Sequence, residues 1–87
     1  MPYRIDLPPR VQKALDRLDA RTFLQIDKAL RPLQDDPRPV GCKKLEGDIY
    51  RVRSGDWRII YAVYDSERLV QIVRVVRRSE RTYRRIS

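Results

Sequence analysis

The 87-residue chain contains no histidine, one cysteine and three glycines. Without histidine it lacks the commonest general acid and base, and no Ser-His-Asp or Cys-His arrangement can be assembled. A single thiol, Cys42, forms no internal disulfide and, with histidine absent, offers none of the usual zinc ligand sets. No metal or cofactor is therefore expected. Long hydrophobic runs are missing as well: no stretch approaches the roughly 18 apolar residues that span a bilayer. The opening Met1-Pro2-Tyr3-Arg4-Ile5-Asp6 has no apolar core of a secretory signal. The expected location is the cytoplasm, with no membrane partner.

Hydrophobic residues still make up 41% of the chain, enough to pack one small domain over residues 1–87. The charge is lopsided. Twenty basic residues against 12 acidic ones leave +8, which favours a polyanionic partner gripped through its phosphates. Sixteen of the 20 are arginine, whose planar fork holds phosphate bidentately and stacks on bases. Six arginines and a single glutamate occupy the last 14 residues. Chemistry on this chain has to run on Arg, Lys, Tyr, Asp or Glu.

Periodicity supplies the architecture. Residues 3–7 alternate apolar and polar as a short strand does, and Pro8-Pro9 stops them. Val11, Ala14, Leu15 and Leu18 then recur at helical spacing, and after Asp19, a fitting N-cap, so do Phe23, Ile26, Leu30 and Leu33. A helical hairpin is predicted, its second helix kinking or finishing at Pro32. Residues 34–47 read as a connecting loop with no core element, broken by Pro37, Pro39, Gly41 and Gly47. From Ile49 the period changes to two, over 49–53, 57–64 and 69–76, with hairpin-length gaps between. The expected fold class is α+β: an N-terminal strand, a helical hairpin, then a three-stranded antiparallel meander.

Arg51 and Arg53 stand two apart and share one strand face, and the following hairpin brings Arg58 near them. Like charges crowded in this way destabilise a fold unless they wait for an anion, so the three suggest a phosphate clamp. Pairing with Asp48, Asp56 or Glu46 is the structural alternative. Farther on, Arg77, Arg78, Arg81, Arg84 and Arg85 surround Tyr83, the composition of a base-stacking platform, although Tyr83 equally suits a docking role for the tail.

The runs Gly41-Cys42-Lys43-Lys44-Leu45-Glu46-Gly47, Ile49-Tyr50-Arg51-Val52-Arg53-Ser54-Gly55-Asp56-Trp57-Arg58-Ile59-Ile60-Tyr61, and Val75 through Tyr83 resemble the RelE toxins of the RelE/ParE toxin–antitoxin superfamily. The resemblance implies a RelE-like sandwich and a ribosome-dependent endoribonuclease that cuts messenger RNA by metal-free attack of the ribose 2′-hydroxyl. It also implies a cognate antitoxin and a toxin–antitoxin hetero-oligomer that binds operator DNA. Carried over position by position, the catalytic set falls on Arg51, Arg53, Arg58, Arg78 and Tyr83, with Arg77 replacing Arg78 if the register slips by one. Lys43, Lys44, Arg77, Arg81, Arg84 and Arg85 are the further RNA-binding candidates. This sequence departs from the family in carrying arginine at 51 and 53, where relatives carry lysine, and arginine is a poor proton acceptor. Two other readings compete: the related ParE toxins share the fold and inhibit DNA gyrase without cutting RNA, and a non-enzymatic nucleic-acid-binding module would explain the charge alone.

Overall fold

Proline and aspartate punctuate the first half of the chain. In the computed structural model, which describes residues 2–77, β1 (Arg4–Asp6) gives way at Pro8 to α1 (Pro9–Asp16). Proline suits the start of a helix because its missing N–H would have no intrahelical partner there. Asp19 caps α2 (Ala20–Leu30), its carboxylate accepting a hydrogen bond from the Thr22 N–H at 2.9 Å. The α-helix stops at Leu30, and a single tighter 3-10 turn, Arg31–Gln34, carries Pro32, as its missing donor requires.

Beyond this turn come β2 (Lys43–Glu46), β3 (Ile49–Ser54), β4 (Trp57–Tyr64) and β5 (Leu69–Arg77). The five strands form one mixed sheet in the order β1-β5-β4-β3-β2. Strands β3, β4 and β5 make the expected antiparallel meander, and β1 adds to the free side of β5 in parallel. The β2 strand corrects the expectation of a loop over residues 34–47. It pairs antiparallel with β3 across a two-residue turn at Gly47-Asp48, and all four of its residues are exposed. A strand at a sheet edge that buries no side chain needs no apolar alternation, which is the signal that its sequence lacks.

Both helices cover one face of the sheet. Val11, Leu15, Ile26, Leu30 and Leu33 pack there against Tyr50, Ile59, Tyr61, Val63, Val70 and Ile72. Full burial of an aliphatic side chain of this size contributes roughly 1.5–3 kcal/mol, so this layer carries most of the stability. Residues of the other parity on β3 and β4, among them Arg51, Arg53, Arg58 and Ile60, are thereby turned to the opposite face. Among the described residues, no helix is long and apolar enough to cross a membrane.

Candidate nucleic-acid interface

Cross-strand register converts scattered cations into rows. Residues paired directly across neighbouring strands project from the same face. Lys43 pairs with Arg51, Arg51 with Ile60 and Ile60 with Arg74, so three cations and one isoleucine run across four strands. In the adjacent row Arg53 pairs with Arg58, and Arg58 with Val76. Lys43, Arg53 and Arg74 are exposed, whereas Arg51 and Arg58 are half-buried. Among the described residues, the face opposite the helices therefore gathers five cations on four strands.

Two like charges placed directly opposite each other, as Arg53 and Arg58 are, repel. Local acids do not offset them: among the described residues, neither Arg53 nor Arg58 forms an ion pair with Asp48, Asp56 or Glu46. The Nε of Arg58 is buried and, among the described residues, has no hydrogen-bond partner. A buried donor without an acceptor costs roughly 1–3 kcal/mol, an expense that an incoming anion would remove.

The structure separates other candidates from this face. Lys44 pairs with Tyr50 and Arg77 with Trp57, both of which belong to the helix-covered side, so Lys44 and Arg77 have the opposite parity from Arg58. Arg78, Arg81, Tyr83, Arg84 and Arg85 lie outside the described residues. Arg74 was not singled out by sequence reasoning. Strict alternation from the buried Val70 and Ile72 assigns it to the core side, but the register shifts between Tyr61↔Ile72 and Ile60↔Arg74, leaving Val73 as an extra residue. This β-bulge turns Arg74 to the cationic face. The one signal in the sequence was a charged residue at a position where alternation demands an apolar one.

Arg38 has a different employment. Its guanidinium grips Asp65 with two hydrogen bonds, at 2.8 and 3.2 Å, while its Nε donates to the Tyr50 hydroxyl at 3.0 Å. The Tyr3 hydroxyl donates to the same Asp65 carboxylate. Hydrogen bonds from Arg38 and then Tyr3 hold the Asp65 carboxyl below its ordinary range. Beneath them the Tyr61 hydroxyl donates to the Pro37 carbonyl at 2.8 Å, and burial pushes the Tyr61 phenol well above its usual range. Together these contacts fasten the loop around Pro37 to the sheet. No group of three or more His, Cys, Asp or Glu that could hold a metal ion is found among the described residues.

A helical layer on one face of a five-stranded mixed sheet is a fold shared with the small toxins of type II toxin–antitoxin systems. Residues 5–82 match the family described as ParE toxin of type II toxin-antitoxin system, parDE. The chain belongs to this RelE/ParE family, and within it to the RelE-like toxins. It is similar to the toxin in the archaeal RelE–RelB complex from Pyrococcus horikoshii, at 31% identity and a TM-score of 0.82, over 91% of this chain and 98% of that one. The toxin of the intact E. coli RelBE complex is 29% identical, with a TM-score of 0.74, over 86% of this chain and 95% of that one. Toxin RelE of Mycobacterium tuberculosis is 29% identical over 82 residues, which cover 90% of this chain and 84% of that protein.

Proposed function

We propose that this toxin is a ribosome-dependent endoribonuclease that cleaves messenger RNA without a metal ion. The observation that carries the reading is the opposed Arg53–Arg58 pair, neither of which forms an ion pair with an acid among the described residues. In the reaction the 2′-oxygen bonds to phosphorus and the bond to the 5′-oxygen breaks, leaving a 2′,3′-cyclic phosphate and a free 5′-hydroxyl. Negative charge grows on the non-bridging oxygens as the pentacovalent phosphorane forms. Preorganised guanidiniums meet that charge with no reorganisation at the moment of reaction, the largest kind of contribution an enzyme makes. Arg58 would grip the scissile phosphate, with Arg51 and Arg53 beside it. None of the three is a base, because arginine remains protonated at any working pH. The resemblance adds Arg78 as a further phosphate ligand and Tyr83 as the stacking surface that holds a base for in-line attack.

A protein at +8 with such a face suits an acidic antitoxin that folds on binding and covers the arginines. The Pyrococcus horikoshii and E. coli relatives are each in complex with their antitoxins. For this chain the corresponding complex would include its own cognate antitoxin and bind operator DNA as a hetero-oligomer. Gyrase inhibition is the second reading, favoured by the ParE description of the matching family. End mapping of translated messages after induction separates the two. Breaks inside coding sequence with cyclic-phosphate and 5′-hydroxyl ends, persisting in EDTA as far as ribosomes stay intact, are expected. Ends bearing 5′-phosphate, or arrested growth with intact messages and inhibited supercoiling, would overturn the nuclease reading.

A further inference from the structure

Strand β1 pairs with β5 only over Leu69–Gln71, so among the described residues the second half of β5 has an open edge on that side. Along this edge, between α1 and β5, runs a groove of about 310 Å³ lined by Arg10, Val11, Ala14, Val73, Arg74, Val75 and Val76. Its floor is apolar, and among the described residues the two arginines are its only charged ones; both are exposed. Arg74 thus belongs to two surfaces at once: it ends the row Lys43–Arg51–Ile60–Arg74 and forms one lip of the groove. The bulge at Val73 is what permits this, since without the extra residue Arg74 would have the parity of Ile72, which is fully buried.

We infer that the bulge builds a second phosphate subsite, in which Arg74, faced by Arg10 across the groove, holds the RNA phosphate next to the one gripped by Arg58. This rests on the nuclease reading above and extends it to the flanking nucleotide. The spacing suits consecutive phosphates. Arg74 stands one strand over and two residues along from Arg58, which puts their Cα atoms roughly 8 Å apart, within the reach of two long side chains converging on one backbone. The valine floor gives the intervening sugar and base an apolar surface to lie on. A bulged strand that re-aims one side chain beside a site is a recurrent device.

A purely structural role for Arg74 has its own logic, because a charge on an open sheet edge prevents pairing with other chains. Binding of the full-length toxin to a labelled 2′-O-methyl oligoribonucleotide, which cannot be cut by 2′-attack, separates the two. Each phosphate contact on a single strand contributes about 0.7 to the slope of log affinity against log salt. Arg74→Ala should lower that slope by about 0.7, Arg74→Lys should restore it, and Arg74→Glu, which still guards an edge, should weaken binding further than alanine. Arg21→Ala removes the same charge from the exposed surface of α2 and should leave the slope unchanged. Equal slopes for wild type and Arg74→Ala, with Arg58→Ala still lowering its own, would overturn this subsite and leave the nuclease reading intact. A wild-type toxin with no salt-dependent RNA affinity would overturn both. Thermal midpoints of all variants identify any loss that comes from unfolding.

Discussion

At the scale of single residues, the decisive contrast is between two arginines with opposite employment. Arg38 is tied to Asp65 and Tyr50 and holds a loop, whereas Arg58, among the described residues, faces Arg53 with no acid to offset either charge. If Arg58 stabilises charge that develops only in the transition state, Arg58→Ala should lower the cleavage rate by about 10² to 10³ and end growth arrest. Arg58→Lys should recover little, because a point charge cannot reproduce the bidentate fork. The thermal midpoint should stay close to that of wild type, since truncation relieves repulsion across the β3–β4 pair. Full toxicity of the alanine variant at equal soluble expression would strike Arg58 from the site. Asp65 makes a prediction of the other kind. Its folded-state pKa is depressed, so the stability it contributes is present above its unfolded value of about 3.9 and is lost as pH falls through the lower folded value. Asp65→Asn should therefore melt below wild type at neutral pH, and thermal melts below about pH 4 should show the gap closing.

Among the elements, the β3–β4 hairpin matters most, because it sets Arg53 opposite Arg58. Its two-residue turn begins at Gly55, where φ is +61°, a left-handed conformation that costs an L-residue roughly 1–2 kcal/mol. The hairpin is also clipped to α2: the Gln25 Nε2 donates to the Ser54 carbonyl at 2.9 Å, and the Ser54 hydroxyl donates to the Gln25 carbonyl at 3.3 Å. A Cβ at Gly55 would collide with that Gln25 amide, whereas one at Gly47, also at positive φ, meets nothing within 4 Å. Gly55→Ala should then cost more than Gly47→Ala, by about 1 kcal/mol for the lost hydrogen bond, in urea titrations of the two variants. Equal losses would mean that the clip contributes nothing to holding the hairpin.

At the scale of the whole molecule, +8 on 87 residues acts over distance. Electrostatic complementarity mainly accelerates encounter, and salt screens it within about 10 Å at 0.1 M. Binding of the cognate antitoxin should therefore slow strongly on association between 0.1 and 0.5 M salt while its dissociation rate changes little, as stopped-flow mixing would record. A salt-insensitive association rate would mean that the basic face is not what the antitoxin meets first.

The sequence by itself determined the local structure and the chemical repertoire. Helical spacing in α1 and α2, the stop at Pro32 and the alternation in β3, β4 and β5 are written in neighbouring residues, because each depends on which side of one element is apolar. The absence of histidine likewise restricts the chemistry whatever the fold. What only the tertiary structure decided are the relations between distant segments. The β2 strand exists because β3 offers it an edge; nothing in its own exposed residues announces it. The parallel docking of β1 on β5 joins segments more than 60 residues apart. Above all, the membership of the cationic face followed from register: pairing across strands united Lys43, Arg51, Arg53, Arg58 and Arg74 and left Lys44 and Arg77 with the other parity. One unpaired residue at Val73 sufficed to move Arg74 from the core side to that face, because in a strand a shift of one position exchanges the two faces.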